Sequence, residues 1–394
     1  MEDSRGVGAR VRRELREGAD RWIVAGLILG FGLATAVLLA WNGVRLGGDS
    51  PRYIAGAAAL LGGHAPEGKA TSYLGYLVAV AAMQKLGTGL NGVVALQFAV
   101  AALATAVLYR LARKLCRPVP AGIAASLFAL NPDIGRWHAY ILTDSLYISL
   151  VILATYAVYR ASEQRGHSYL GASLLVLAAA STRPHGWVLV PVTMAFWALR
   201  APIVRTRRRI LASVLVVACG VGVFVLPGTR HGAERESLDV KLRRGEVIWG
   251  YPQGRISMPA DRSTRTGLPT AIGYAARHPL ATARLAVWRV GTELVHARPF
   301  YSRRHNLFAI GLVCIVYVFA VVGAISTRGD PLTRMLLAVI GAHLFVVAAT
   351  FADWDGRFLL YVFPLIGVLA GCGIGPVYRS TSLLRSRLRA RARP

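Results

Sequence analysis

The chain has 394 residues, of which 55% are hydrophobic and only 16% are charged. That composition is too apolar for a soluble domain of this size, and the apolar residues occur in long runs. The formal net charge of +27 does not indicate nucleic-acid binding, because the basic residues cluster beside the apolar runs, where they set topology and meet anionic headgroups. We therefore predict a multi-pass protein of the cell membrane that contacts membrane lipids and no nucleic acid.

The first apolar run extends from Trp22 to Trp41. Its length of about 20 residues without a charge is sufficient to cross a hydrocarbon core. An arginine-rich segment precedes it, and no clear small-residue cleavage site follows it. We therefore predict a retained span rather than a cleaved signal peptide.

Nine further apolar runs follow, at 90–112, 119–131, 145–160, 169–182, 186–200, 210–227, 306–325, 335–351 and 358–376. Ten spans place both termini on one side, and the arginine clusters after alternate spans assign that side to the cytoplasm. The predicted fold is an all-α polytopic membrane protein with about ten transmembrane helices. The predicted cytoplasmic basic tails cover 1–21 and 377–394. A predicted catalytic module of seven spans covers 22–227, and three predicted C-terminal spans cover 306–376.

Two predicted outer segments are long, at 43–89 and 228–305. In the first, "SPRYIAGAAALLGG" predicts a short helix with Ser50 as N-cap and a stop at Gly62 or Gly63. The apolar stretch 72–87 is interpreted as a helix lying along the membrane rather than a further span.

The second long outer segment is arginine-rich and aromatic, and two interpretations of it stay open. It is either a solvated connector or a lid or acceptor groove for an anionic partner. Its end, "YAARHPLATARLAVWRVGTELVHARPF", predicts an amphipathic helix at the membrane interface.

Charged residues in the short outer loops form the candidate site. Taken alone, the negative charge of Asp49 would stabilise the helix that follows it by interacting with the helix dipole. Each loop arginine, taken alone, would bind lipid headgroups and anchor its loop at the membrane surface. Because carboxylates and guanidiniums recur at one membrane depth, however, we predict a shared anion site. The residues concerned are Asp49, Arg52, Asp133, Arg136, Asp144, Arg183, Asp353, Asp355 and Arg357. Inside the spans, His343 is predicted to be a hydrogen-bonded packing residue.

The order of "GGDSPRYIAGAAALLGG", "LYRLARKL", "NPDIGRWHAYILTDSLYISLVILATYAVYR" and "AAASTRPHGWVLVPV" resembles the membrane glycosyltransferases of the GT-C fold. This group includes protein O-mannosyltransferases and lipid A aminoarabinose transferases. The resemblance implies a sugar donor on a polyprenyl phosphate and a catalytic base in the first outer loop, where Asp49 matches. A second acidic residue matches Asp144, with Asp133 as a rival. Many relatives carry an Asp-Glu pair where Ser50 follows Asp49 here, which leaves the acceptor and any divalent metal open.

The chemistry supports the same assignment from the residues. A polyprenyl phosphate is a good leaving group, so its departure requires cations, and arginines present the matching fork of donors. We assign Arg183 and Arg357 as phosphate partners, and Arg52 and Arg136 as further candidates. The remaining substrate-binding candidates are Tyr53, Asp133, His138 and His185. A single displacement by an acceptor hydroxyl, with Asp49 as base, would invert the anomeric centre.

The predicted function is thus transfer of a sugar to a glycan, lipid or protein acceptor on the outer face. No cofactor is assigned, and a divalent metal stays open. Two alternatives stay open. A lipid or polysaccharide transporter or flippase would need a continuous polar path through the spans. A non-catalytic membrane scaffold would not need Asp49.

Overall fold

The computed structural model describes residues 3–163, 168–200, 238–261 and 267–391. Within these ranges the chain forms helices and three isolated bridges, and no strand. The helices are α1 Asp3–Asn42, α2 Ser50–Leu61, α3 Leu74–Lys85, α4 Gly89–Ala112, α5 Pro118–Ala129, α6 Pro132–His138, α7 Thr143–Glu163, α8 Ser168–Thr182, α9 Leu189–Arg200, α10 Leu238–Arg243, α11 Leu268–Arg277, α12 Pro279–Val295, α13 Arg303–Ser326, α14 Pro331–Ala349, α15 Arg357–Leu360 and α16 Phe363–Arg391. Short 3-10 helices cover Gly68–Tyr73, Pro184–Val188 and Pro252–Gly254.

Five helices of the described ranges are long and apolar enough to cross a membrane, namely the Gly18–Asn42 part of α1, α4, α7, α13 and α14. Shorter apolar helices are α5, α8 and the first part of α16. The prediction of an all-α polytopic membrane protein is confirmed. Helices occupy nine of the predicted spans, whereas 210–227 lies outside the described residues, so the count of ten stays a prediction.

The two predicted basic tails are helical extensions of neighbouring spans. From Asp3 the first tail is continuous with α1, and the last tail belongs to α16 as far as Arg391, with Pro376 inside the helix. The backbone is therefore helical over 3–21 and 377–391 and continuous with the spans that these segments flank.

The loops gather at two opposite ends of the helix bundle. At one end, Arg113 binds Asp20 over 2.8 Å and Lys114 binds Glu163 over 2.9 Å. At the other, the first outer loop pairs with residues 139–141, and 247–249 pairs with Ala352. We call this second end the site end. The loops predicted to be outer therefore lie together, as an alternating path through a membrane requires.

Helices α13 and α16 cross at close range. A Cβ atom on Gly323 would overlap the carbonyl oxygen of Leu369, and one on Gly373 would overlap that of Phe319. Small residues allow such close approach of helix backbones in membranes. Gly323 lies in the last turns of α13, so this crossing fixes α16 against α13 towards the end of the bundle opposite the site end.

Two predictions concern the ends of α2. Helix α2 begins at Ser50, and Asp49 occupies the N-cap position without a side-chain cap bond, so the predicted N-cap at Ser50 is wrong. The Ser50 hydroxyl instead donates to the Ile141 carbonyl over 2.8 Å, which ties the first outer loop to the segment before α7. The predicted stop at Gly62 is confirmed.

Helix α3 has 12 residues and is therefore about 18 Å long, which is too short to cross a bilayer. This length agrees with the interpretation of 72–87 as a helix that lies along the membrane. The predicted amphipathic helix near 274–300 is instead two helices, α11 and α12. They are separated at His278 because Pro279 cannot continue a helix that precedes it.

Candidate functional site

Asp144, in the first turn of α7, is the centre of a buried ion cluster at the site end. Its Oδ1 accepts hydrogen bonds from Arg183 Nη1 at 3.0 Å and from the Tyr361 hydroxyl at 2.7 Å, and its Oδ2 accepts from Arg357 Nη1 at 3.4 Å. The carboxylate is 1% exposed. A buried carboxylate is tolerated only when it is paired and hydrogen-bonded, so Asp144 is the shared counter-ion of two arginines.

Arg183 follows α8 and lies over the ring of Tyr361, with 5.0 Å from its guanidinium carbon to the ring centre. Its Nη1 donates to Thr143 Oγ1 at 2.7 Å and to Asp144. Burial alone would lower the pKa of Arg183, but the negative charge of Asp144 raises it overall. In the described part of the chain, Nε and Nη2 have no hydrogen-bond partner, and neither is a fully enclosed atom. These two nitrogens are available to an anion.

Arg357 is the first residue of α15. It differs from Arg183 because all three of its guanidinium nitrogens donate hydrogen bonds. Nε and Nη2 bind both oxygens of Asp353 at 3.0 and 3.1 Å, and Nη1 reaches Asp144. Such a two-pronged contact fixes a guanidinium in orientation as well as position. Burial opposes the charge of Arg357, but Asp144 and Asp353 together raise its pKa.

A second buried pair, Glu293 and Arg298, holds the loop that carries Asp353. Glu293 accepts hydrogen bonds from the backbone N–H groups of Asp353 and Leu359, both at 2.9 Å. Arg298 donates to Glu293 at 2.9 Å and to the Asp353 carbonyl oxygen at 3.0 and 2.8 Å. Burial raises the pKa of Glu293 in spite of the neighbouring Arg298. The orientation of Arg357 therefore depends on a chain of contacts that begins in α12.

Glu293, Arg298 and Tyr361 were not among the site residues predicted from the sequence. A signal for the first two was present, since they are opposite charges five positions apart near the end of the amphipathic stretch 274–300. Tyr361 carries no such signal, because aromatic residues are frequent at the ends of membrane spans.

Asp49 lies near this cluster on a more exposed surface. Its side chain is 41% exposed and pairs with Arg52 Nη1 at 3.1 Å. Neighbouring Tyr53 is buried against the rings of Tyr73 and Tyr76, at 5.3 and 5.1 Å between centres. Burial chiefly raises the pKa of Tyr53, and the charges of Tyr73, Arg183, Asp49 and Asp144 also act on its hydroxyl. Tyr53 is thus within electrostatic range of both Asp49 and the Asp144 cluster.

Helix α6 brings Asp133 and Arg136 to the edge of the same cluster. The guanidinium of Arg136 lies 4.5 Å from the ring centre of Trp137, and the guanidinium of Arg357 lies 5.2 Å from that same ring. Asp133 Oδ2 is 3.5 Å from His296 Nε2. Burial opposes ionisation of Asp133, but His296 lowers its pKa overall. Trp137 therefore links these two residues to the arginine cluster.

His138 is not brought to the anion site. Its ring packs against Phe31, Phe98 and Phe128, and its Nδ1 lies 2.7 Å from Ser145 Oγ. Burial lowers the pKa of His138 to about 4. This neutral imidazole is a packing residue between helices, because enclosure by aromatic rings leaves no access for a sugar.

The other two histidines have different surroundings. His185 lies against Phe358 at 4.2 Å between ring centres and beside Tyr361 at 5.8 Å, so it lines the cluster as a neutral ring whose pKa burial keeps well below the usual value. His343 contacts the Tyr147 hydroxyl at 2.7 Å and the Val339 carbonyl at 2.9 Å. The prediction that His343 is a hydrogen-bonded packing residue is confirmed.

The comparisons with known proteins begin with a family match. Residues 72–227, about two fifths of the chain, match the family described as dolichyl-phosphate-mannose-protein mannosyltransferase. Among solved structures, the oligosaccharyltransferase AglB from Archaeoglobus fulgidus, in complex with an inhibitory peptide and a dolichol-phosphate, matches over 92% of this chain with a TM-score of 0.52 and 15% identity. The apo form of the Archaeoglobus fulgidus oligosaccharyltransferase matches over 92% with a TM-score of 0.51 and 14% identity. The chain has the GT-C fold of membrane glycosyltransferases.

This GT-C chain spans about half the length of the solved structures that it matches, 52% in both cases. No curated protein matches it. Asp144 and Arg183 lie inside the matched range 72–227, whereas Asp49 and Arg357 lie outside it. Across the described ranges, no group of three or more histidine, cysteine or acidic side chains is arranged to hold a metal ion.

Proposed function

We propose that this chain transfers a sugar from a polyprenyl-phosphate donor to an acceptor hydroxyl at the outer face of the membrane, with inversion of the anomeric centre. The observation that carries the proposal is the pair of uncommitted Arg183 nitrogens in a buried cluster near a half-exposed carboxylate, Asp49. The family match names a dolichyl-phosphate sugar, and AglB was solved with a dolichol-phosphate, which supports a lipid-phosphate donor for this chain.

Arg183 is the better of the two predicted phosphate partners. Its Nε and Nη2 form the edge of a planar fork that matches two phosphate oxygens. Arg357 is fully engaged by Asp353 and Asp144, so we assign it a positioning role next to the phosphate. The formal charges of Arg183 and Arg357 are cancelled by those of Asp144 and Asp353. Phosphate binding beside Arg183 therefore depends on directed hydrogen bonds in a poorly hydrated site.

Asp49 is the better candidate for the base. Among the residues that the structure describes, Asp49 has one side-chain partner, Arg52, and no side-chain bond to the backbone of α2, so an oxygen remains for the acceptor hydroxyl. Asp144 is buried and receives three donors, which leaves it to hold the arginines rather than to accept a proton. This assignment revises the role of Asp144 that the family resemblance implied.

The proposed reaction couples two charge changes. The acceptor oxygen bonds to the anomeric carbon as the bond from that carbon to the phosphate oxygen breaks, and the phosphate keeps the electron pair. Asp49 takes the hydroxyl proton and becomes neutral, so the charge of Arg52 is no longer balanced while negative charge grows on the phosphate. The free Nε and Nη2 of Arg183 donate to the phosphate oxygens on which that negative charge grows.

The other candidate residues receive weaker assignments. Tyr53, Asp133 and Arg136 are proposed to contact the sugar or the acceptor, and His185 to line the cluster without exchanging a proton. The acceptor is proposed to be a hydroxyl of a glycan, a lipid or a protein at the outer face. Both termini are proposed to lie in the cytoplasm.

The test measures transfer in liposomes that contain the purified chain and polyprenyl-phosphate mannose, with glucose and arabinose donors as further probes. We expect Asp49→Asn to reduce transfer by about 100-fold or more, with unchanged expression and donor binding. Asp261→Asn is the matched control, because Asp261 also pairs with an exposed arginine, Arg277. Transfer by Asp49→Asn near the wild-type rate would contradict the assignment. Movement of donor across the bilayer without any transfer would favour the transporter alternative.

A further inference from the structure

Helix α12 has an inverted polarity. Its outward face carries large apolar side chains, with Leu280 85% exposed, Val287 71%, Trp288 54% and Val295 46%. These positions are spaced as one face of a helix. Its inward face carries the charged residues Arg289 and Glu293, which are 1% and 0% exposed. In a helix surrounded by water the two faces would be exchanged.

The inward charged groups bind neighbouring parts of the protein, although the buried Nη2 of Arg289 has no hydrogen-bond partner among the described residues. Arg289 donates to the carbonyl oxygens of Glu246, Ala348 and Ala349, at 2.8, 3.1 and 3.2 Å. Glu293 binds Arg298 and the loop before α15. These contacts hold α12 against the last turn of α14 in a single orientation, so rotation of the helix to bury its apolar face is excluded.

The outward face of α12 continues the apolar surface of the neighbouring spans. Helix α12 packs against α14 and α13. Those spans expose large apolar side chains of their own, among them Leu307, Phe308, Leu337 and Phe345. A surface that is continuous with the outside of membrane-spanning helices faces the same surroundings as those helices.

Helix α12 does not itself cross the membrane. Its 17 residues correspond to about 25 Å, which is less than the roughly 30 Å of a hydrocarbon core. Its contacts with α14 and with the loop before α15 both lie at the site end. Arg284 is the one exposed charged residue on its outward face, and a long arginine side chain of this kind can extend to the headgroups.

We propose that α12 lies in the membrane at the site end, with Leu280, Val287, Trp288 and Val295 in contact with lipid acyl chains. The segment 279–295 is then neither a solvated connector nor a water-borne lid. It is a membrane-embedded support whose inner face holds the Asp353–Arg357 loop. The partner of the outward face is the hydrocarbon of one leaflet, and a second copy of the chain is an outcome that the test distinguishes.

The experiment uses the unmodified chain in liposomes that contain a phospholipid with a photoactivatable carbene precursor in its acyl chain. After irradiation and proteolysis, adducts are mapped by mass spectrometry. We expect adducts on 279–295 at a density comparable to that on α13, and none on 62–69, a polar and exposed segment of the first outer loop. Adducts on α13 and α14 without any on 279–295 would overturn the proposal.

A second measurement separates lipid contact from contact with another copy. Nitroxide labels are attached at Val287→Cys and, as a control, at His64→Cys, in a chain whose native cysteines are replaced. We expect the label at 287 to collide several-fold more with oxygen than with a water-soluble nickel complex, and the label at 64 to do the reverse. Shielding of the label at 287 from both reagents would indicate a protein partner, and free access of the nickel complex would indicate water. Either result overturns the proposal.

Discussion

Arg183 Nη1 lies 3.0 Å from Oδ1 of Asp144, and the two side chains are 10% and 1% exposed. The residues come from different loops of the site end and meet where α7 begins and α8 ends. Loss of one partner would leave a charge enclosed by protein without compensation.

Replacement of Asp144 by asparagine should destabilise the protein. Two buried guanidiniums would lose their shared counter-ion, and breaking a buried pair typically costs about 3 to 5 kcal/mol. Thermal unfolding in detergent measures the effect. Lys114→Gln, which removes one partner of the Lys114–Glu163 pair, whose side chains are 32% and 29% exposed, should change stability by about 1 kcal/mol or less. Equal shifts in the two variants would contradict the central role of Asp144.

Substitutions of the two arginines should separate binding from stability. Arg183→Lys keeps the charge and loses the planar fork, so KM for the lipid donor should rise by about 10-fold with little change in Tm. Arg357→Lys should lower Tm more, because it breaks the two-pronged contact with Asp353. A larger KM effect in Arg357→Lys than in Arg183→Lys would reverse their assigned roles.

Glu293→Gln should impair transfer although the contacts of Glu293 are with Arg298 and the Asp353–Arg357 loop rather than with the proposed substrates. One amide oxygen cannot replace the two oxygens that accept from Asp353, Leu359 and Arg298, so the orientation of Arg357 should loosen. We expect kcat to fall more than donor affinity. Glu246→Gln provides a control, since its pairing with Arg255 is more exposed. An unchanged kcat with lowered stability alone would assign Glu293 a purely structural role.

Stability should depend on pH through His138. Its pKa is lowered to about 4 by burial, against an ordinary value near 6.5, so below pH 6.5 the unfolded chain binds a proton that the folded chain does not. Folding stability attributable to this residue is thus full above pH 6.5 and falls by about 2 kcal/mol on acidification to pH 5. Comparison of Tm at pH 7 and pH 5 for wild type and His138→Asn measures it. The variant should lose less stability on acidification than the wild type does.

The proposed orientation places the site end outside the cell and the opposite end in the cytoplasm. In a chain without native cysteines, His64→Cys in the first outer loop should react with a membrane-impermeant reagent in intact cells. Arg328→Cys, in the exposed turn between α13 and α14 at the opposite end, should not react. The reverse pattern would move the proposed site to the cytoplasmic face.

Sequence reasoning succeeded where membrane physics leaves few choices. Apolar runs of sufficient length predicted the helices, and alternation of the spans predicted that Asp144, Arg183 and Arg357 would lie at one end. Their partners could not be predicted in the same way, because which guanidinium nitrogens are engaged depends on side-chain packing. Glu293 and Arg298 were missed because a charged pair in a long loop is ordinarily solvated. His138 was assigned to the substrate site because its position in a loop does not reveal that three phenylalanine rings enclose it.

The close crossing of α13 and α16 at Gly323 and Gly373 has a mechanical consequence. With no side chain between the two backbones, these helices form one stiff unit, and α15 with Arg357 is attached to its end. Arg183 lies between α8 and α9. The Asp144 carboxylate, which binds both guanidiniums, is thus the point at which the α13–α16 unit is joined to the loop between α8 and α9.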